Sequence, residues 1–273
     1  MAYISFEPKD YVNTKIYTGN GGDQTITGVG FTPDWVWFKS RDAGNSHAVL
    51  DIVRGTTKVL YAETTSSEQT INAQTFNSDG YDLVQDAGAN SINSSGSAKV
   101  AWSWKANGVG ATNEDGSINT IKTSANTTSG FSIVKYQGTG SNATVGHGLG
   151  VAPRMIIVKS LGTNDWSVYH GSLGGTKAIF MDITSGSATH VDYWNNTNTT
   201  SSVFSIGISS NMNHSSTDMI AYCFAEKKGF SKFSSFVGNG NADGTFVYTG
   251  FKPTWVLIKR TSASGDQWQL SDS

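Results

Sequence analysis

Along most of this chain hydrophobic and small polar residues trade places every one or two positions, and no stretch carries a helical stripe over three turns. Phe131-Ser132-Ile133-Val134-Lys135-Tyr136 and Val203-Phe204-Ser205-Ile206-Gly207-Ile208 come close to strict alternation, the pattern of a half-buried strand. Trp35-Val36-Trp37-Phe38 and Met155-Ile156-Ile157-Val158 are apolar at successive positions. A strand of that kind is covered on both faces, as in the middle of a sandwich. Asp79-Gly80, Asp115-Gly116 and Asp243-Gly244 are tight-turn signals beside such runs. The pattern predicts an all-β protein of many short strands, of the β-sandwich or jelly-roll kind.

The same pattern recurs at long range. Gly30-Phe31-Thr32-Pro33-Asp34-Trp35-Val36-Trp37-Phe38-Lys39 returns as Gly150-Val151-Ala152-Pro153-Arg154-Met155-Ile156-Ile157-Val158-Lys159 and as Gly250-Phe251-Lys252-Pro253-Thr254-Trp255-Val256-Leu257-Ile258-Lys259. Three of the chain's four prolines mark this motif, 120 and then 100 positions apart. Glycine supplies the turn, proline stands at the start of the strand where no ladder donor is needed, and the apolar run follows. A second motif precedes it: Tyr17-Thr18-Gly19, Tyr136-Gln137-Gly138 and Phe236-Val237-Gly238. A third, Val100-Ala101-Trp102-Ser103-Trp104-Lys105, matches Ile220-Ala221-Tyr222-Cys223-Phe224-Ala225. Asp165-Trp166 also corresponds to the Asp266 to Trp268 segment.

These spacings divide the chain into an N-terminal segment 1–14, repeat 1 at 15–108, a polar linker 109–129, repeat 2 at 130–228 and a partial repeat 3 at 229–273. The linker is rich in Asn, Thr, Ser and Gly, with one short strand expected near Ile118 to Ile121. A period near 100 residues is too long for a solenoid unit and suits a whole domain or half a sandwich. The unfinished third copy is expected to continue beyond 273 or to complete a neighbouring domain.

Composition narrows the function. With 19 Lys+Arg against 21 Asp+Glu, the formal charge of −2 gives no field that would draw nucleic acid or a membrane surface. Apolar runs fall far short of the roughly 20 residues of a membrane helix, and the N-terminus lacks a signal-peptide pattern. The single cysteine, Cys223, lies in an apolar run and reads as a buried, inert thiol.

Catalytic and cofactor motifs are scarce. There is no Gly-Lys pair for a phosphate loop, no Gly-x-Ser-x-Gly elbow, and Gly146-His147-Gly148-Leu149-Gly150 lacks the third glycine of a dinucleotide fingerprint. His47, His147, His170, His190 and His214 are scattered, with none at metal-ligand spacing. Asp51, Asp79, Asp165 and Asp182 are carboxylates that could pair as glycosidase acids, but most stand beside Gly or Trp in turn-like contexts that favour backbone capping. Trp35, Trp102, Trp166, Trp255 and Trp268 recur at equivalent places or in strand runs, which marks core packing. Tyr193-Trp194, set among Asn, Asp and Thr, is the aromatic pair placed to stack on a sugar ring. The expectation is a non-enzymatic protein with no catalytic residue, cofactor or metal, and with Tyr193 and Trp194 as glycan-binding candidates.

The opening Met1 to Gly19, the Val29 to Lys39 block, Ser129 to Tyr136, Gly146 to Pro153 and Tyr222-Cys223-Phe224-Ala225-Glu226 together resemble a family of repeat-bearing virion proteins of tailed bacteriophages, notably those of marine bacteria. The resemblance covers essentially the whole chain. It implies lectin-like β-sandwich repeats, assembly on a virion and contact with a host surface. A tail-fibre or appendage subunit is the expectation that follows, with a homo-oligomer (a trimer being usual for fibres), other tail or capsid proteins and a host-surface glycan as expected partners. A capsid decoration protein and a glycan depolymerase are the alternatives from other classes. The family supplies no defined functional residues to carry over.

Overall fold

The computed structural model describes residues 4–84 and 92–273. In the first half, apolar runs and turn glycines cut the chain into β1 (Val12–Thr18), β2 (Gln24–Ile26), β3 (Trp35–Ser40), β4 (Ala48–Asp51), β5 (Lys58–Tyr61), β6 (Gln69–Thr70), β7 (Thr75–Asn77), β8 (Gly80–Leu83) and β9 (Ala98–Trp104). The second half gives β10 (Lys122–Asn126), β11 (Phe131–Gln137), β12 (Ala143–Gly146), β13 (Met155–Ser160), β14 (Ser167–His170), β15 (Lys177–Phe180), β16 (Ala188–Thr189), β17 (Val203–Ile206) and β18 (Asp218–Phe224). Two single-turn helices, α1 (Val191–Trp194) and α2 (Ser210–Asn213), stand among them, and β19 (Trp255–Ile258) with β20 (Gln269–Asp272) follows. The protein is all-β, with antiparallel pairing throughout its named strands.

The strands form two large sheets, ordered β1-β9-β3-β4-β5-β6 and β10-β11-β18-β13-β14-β15-β16. Matched through the three sequence motifs, β1, β9, β3, β4, β5 and β6 stand in the same order as β11, β18, β13, β14, β15 and β16. The registers agree as well: Trp37 faces Trp102 across β3–β9, and Ile157 faces Tyr222 across β13–β18. Each large sheet carries a small outer layer, β2-β8-β7 on the first and β12-β17 with α1 and α2 on the second. The β7–β8 turn needs glycine at Gly80, whose φ is +152° and whose missing side chain leaves room for the Ile26 carbonyl.

Successive apolar positions are explained by these layers. On β3, Trp35 and Trp37 point to one core while Val36 and Phe38 point to the outer one. On β13, Met155 and Ile157 divide from Ile156 and Val158 in the same way. The inner faces of the two sheets meet each other, so Trp35 packs on Phe131 and Tyr222 with ring centroids 5.6 and 5.0 Å apart. The β19–β20 hairpin closes on this shared core through Trp255, Leu257, Trp268 and Leu270, and Trp255 lies edge-on to Trp104 at 5.5 Å.

One set of hydrogen bonds joins each copy to the next. Trp166 Nε1 donates to the carbonyls of Tyr61 (2.9 Å) and Thr64 (3.2 Å), and Trp268 Nε1 donates to the carbonyl of Phe180 (2.7 Å). Tyr61 and Phe180 are the last residues of β5 and β15. Beside them, Asn164 N donates to Thr65 O and Glu68 N to Leu161 O, matched by Gly265 N to Thr184 O and Ser187 N to Thr261 O. The motif lysines join in: Lys159 Nζ reaches Ser160, Gly162 and Thr65 carbonyls, and Lys259 Nζ those of Ile183 and Asp266.

The strand expected near Ile118 to Ile121 forms a few residues later, as β10 pairing with β11. Its polar composition hid it. Ser124, fully buried, accepts from Asn107 N, and Thr120 and Thr123 bond to each other, so hydroxyls do the work that apolar side chains do elsewhere.

Because both large sheets contribute to one core, urea should unfold the chain in a single transition with coincident midpoints by far-ultraviolet circular dichroism and tryptophan fluorescence. Trp166→Phe strips the donor from two carbonyls at the first joint and should lower stability by about 1–3 kcal/mol without splitting that transition. Two separated transitions would show that the sheets fold independently.

Candidate functional site

Three short elements of the second half converge on one polar cluster. Tyr193 lies on α1, Asn211 on α2, and Asp165 in the turn between β13 and β14. Ser209 caps α2 by accepting from Asn211 N, which aims the Asn211 amide at the other two. Asn211 Nδ2 donates to Tyr193 Oη at 2.9 Å and to Asp165 Oδ2 at 3.2 Å, while its Oδ1 accepts from Asn164 Nδ2 at 3.3 Å. The Tyr193 ring is half-buried, edge-on to Phe180 at 5.4 Å and tilted on His190 at 5.2 Å.

Asp182 and Lys159 lie behind this cluster and interact with Asp165 through their charges. Asp182 Oδ1 accepts from Trp166 N at 3.1 Å, and its Oδ2 is buried without a hydrogen-bond partner among the described residues. Burial, reinforced by the Asp165 charge, pushes the Asp182 carboxyl up to about 6. Burial likewise pulls Lys159 down to about 8, against the attraction of Asp182 and Asp165. The cluster presents an amide, a phenol and a carboxylate side by side, a donor and acceptor set suited to hydroxyl groups.

Trp194 is not part of this surface. It is 1% exposed and packs into the outer core of the second sheet, edge-on to Tyr169 at 5.4 Å. Its polar neighbours in sequence are turn residues, and α1 turns the indole inward while leaving Tyr193 at the rim. The expected aromatic pair therefore reduces to Tyr193. Sequence reading also missed Asn211 and Asp165 as its partners, because the three are distant in sequence and only the placement of α1, α2 and the β13–β14 turn brings them together.

The other candidates serve the fold. Asp51 is fully buried and forms an ion pair with Arg54 at 2.5 Å, and Tyr222 Oη donates to the same Asp51 Oδ2 at 2.8 Å. Burial lowers the Arg54 guanidinium, but the Asp51, Tyr222 and Glu68 charges and the Asp51 hydrogen bond together outweigh it and hold the guanidinium above its ordinary range. Asp79 caps a turn by accepting from Gly28 N and Gly30 N. His147 is buried, with Nδ1 accepting from Leu149 N and Nε2 on the Thr200 carbonyl. His47 Nδ1 accepts from Trp37 Nε1 at 3.0 Å. Burial pushes the Cys223 thiol up to about 12, so it stays protonated. Among the described residues no group of three or more His, Cys, Asp or Glu is placed to hold a metal ion.

The family described as a domain of unknown function (DUF7483) matches residues 7–273, and the chain belongs to that family. No curated protein and no solved structure matches the chain.

The raised Asp182 carboxyl makes a signed prediction. Its folded value of about 6 exceeds the ordinary 3.8, so its contribution is full below pH 3.8 and is lost as pH rises through 6. Asp182→Asn keeps the Oδ1 acceptor and removes the charge. Urea midpoints at pH 4 and pH 7 should show wild type losing stability relative to the variant across that interval. A constant difference at both pH values would place the Asp182 titration outside it.

Proposed function

We propose that this DUF7483 chain is a non-enzymatic structural protein of a tailed-phage virion, a tail-fibre or appendage subunit that docks through segment 1–14 and uses its β repeats to adhere to a host surface. The observation that carries this reading is the recurring joint, in which each copy is fixed to its predecessor by the same indole-to-carbonyl bond, the same backbone pair and the same motif lysine. A body built in this way has its copies locked around one core and is stiff, a property that an appendage requires. Chemical groups that could serve catalysis are committed to that body: Asp51 to Arg54, Lys159 to three carbonyls, Cys223 to the interior. The sequence resemblance to repeat-bearing virion proteins supports the location.

In this reading the Tyr193–Asn211–Asp165 cluster is the adhesive site, with the Tyr193 ring as an apolar platform and its neighbours as hydrogen-bond partners for sugar hydroxyls. The location is tested by cryo-electron microscopy of intact particles with this chain traced into density. Density in a tail appendage is the expected result, and density spread over the capsid lattice would make the protein a head-decoration component instead. The site is tested on a glycan array, where Tyr193→Ala should reduce retention about tenfold or more. Release of reducing ends from any retained glycan would overturn the non-enzymatic assignment.

A further inference from the structure

The two large sheets finish the same end of their strands with opposite chemistry. Just ahead of β3, Asp34 N donates to the Trp104 carbonyl and Ile52 N to the Asp34 carbonyl, both at 2.9 Å. Arg154 holds the same place ahead of β13. Its N donates to the Phe224 carbonyl and Gly171 N donates to its own carbonyl, both at 2.7 Å. One strand further on, Lys105 N donates to the Tyr11 carbonyl, and Ala225 N to the Gly130 carbonyl. Asp34, Ile52, Tyr11 and Lys105 of the first sheet thus correspond to Arg154, Gly171, Gly130 and Ala225 of the second.

The first sheet closes this end with its own groups. The Asp34 carboxylate accepts from Ala106 N at 2.7 Å and Gly108 N at 3.1 Å, and Lys105 Nζ lies 5.9 Å from the Tyr11 ring centroid. In the second sheet a guanidinium replaces the carboxylate, and glycines replace the flanking Ile52 and Tyr11. Two cations use the room. A side chain on Gly171 would come within 2.8–3.0 Å of the Arg154 guanidinium, and one on Gly130 within 3.0–3.1 Å of the Lys227 stem. Gly171 does not have the positive φ that calls for glycine, so its role here is space.

An open cavity of about 390 Å³ lies at this end, lined by Val151, Ala152, Arg154, Glu226, Lys227 and Lys232. Its one carboxylate is already engaged: Glu226 Oε1 accepts from Lys232 Nζ at 2.8 Å and Oε2 from Phe233 N at 3.3 Å. Among the described residues, the Arg154 and Lys227 side chains form no ion pair. Burial first, and then the Arg154 charge, holds the neighbouring His170 imidazole below its ordinary value. The cavity therefore has two cations without an internal counter-ion.

We infer that this cavity is a binding site for an acidic sugar, a single uronate unit held by its carboxylate. The planar Arg154 guanidinium suits a two-point bond to a carboxylate, and Lys227 adds a second charge. Val151, 43% exposed, and Ala152 give the ring an apolar wall, and the volume falls in the range of small-molecule sites. The assignment rests on the cavity alone. Tyr193 and its partners lie with Asp165 beyond the opposite end of β13, a strand of six residues and roughly 20 Å.

The test titrates the full chain with D-glucuronate, D-glucose and inorganic phosphate and follows backbone amide chemical shifts. Glucuronate should give saturable shifts at Gly130, Gly171 and Lys227, glucose none, and phosphate weaker binding than glucuronate. Arg154→Gln should weaken glucuronate binding by about tenfold or more. Gly171→Ala adds a methyl group against the guanidinium and should also weaken it, with the urea midpoint unchanged in both variants. Absent shifts, equal shifts with glucose, or unchanged affinity in either variant would overturn the proposal. Phosphate binding as tight as glucuronate would overturn the sugar assignment by making the cavity a general anion site.

Discussion

The organisation of this protein follows from one packing constraint: the inner faces of two β-sheets, each apolar and rich in large rings, must cover each other. Trp35 is the contact through which this happens. It touches Trp37 and Trp104 on its own sheet and Phe131, Tyr222 and Phe224 on the other. Rings of this size bury much apolar area at low conformational cost, and tilted or edge-on contacts suit their quadrupoles. The consequence is that the inner core of each large sheet is completed by the other. Each has its own outer layer, but the middle of the molecule belongs to both.

That shared middle explains why charge is tolerated in it. Arg54 and Asp51 have fully buried side chains, and an ion pair withdrawn from water repays its desolvation only when the geometry is good and the remaining groups are satisfied. Here Arg54 also donates to the Val49 and Lys58 carbonyls, and Tyr222 completes the Asp51 carboxylate from the opposite sheet. A leucine pair would fill the same volume without fixing how one sheet sits on the other. The Tyr222–Asp51 bond has one register, so the polar group contributes specificity to a contact that apolar packing alone would leave free to slide.

Much of the fold was legible in the sequence, because its strongest signal is local. Apolar runs such as Trp35–Phe38 require covering on both faces, and the structure covers them with a neighbouring sheet on one side and a small outer layer on the other. The β10 strand was illegible at its true position, since hydroxyl bonding replaced apolar burial there. The site was half legible. Tyr193 stood out as an aromatic in polar company, but the same reasoning applied to Trp194 failed, because one turn of helix sends adjacent side chains in different directions. The partners Asn211 and Asp165 are 18 and 28 residues from Tyr193, and only the return of the chain through β17 and α2 brings them together.

The same constraint bears on how the molecule grows. A two-fold pair of identical sheets would make the two contact surfaces equivalent and finish the assembly. The joints here are head-to-tail instead: the indole of one copy meets the end of the fifth strand of its predecessor, first at Trp166 and Tyr61 and again at Trp268 and Phe180. A head-to-tail contact has two unlike ends, so it either closes into a ring or continues as a filament. The bonds from Tyr222 to Asp51 and from Trp102 to Asp272 decide between these, because the first copy touches both the second and the third. Contacts that return to the start belong to a ring of three around one core.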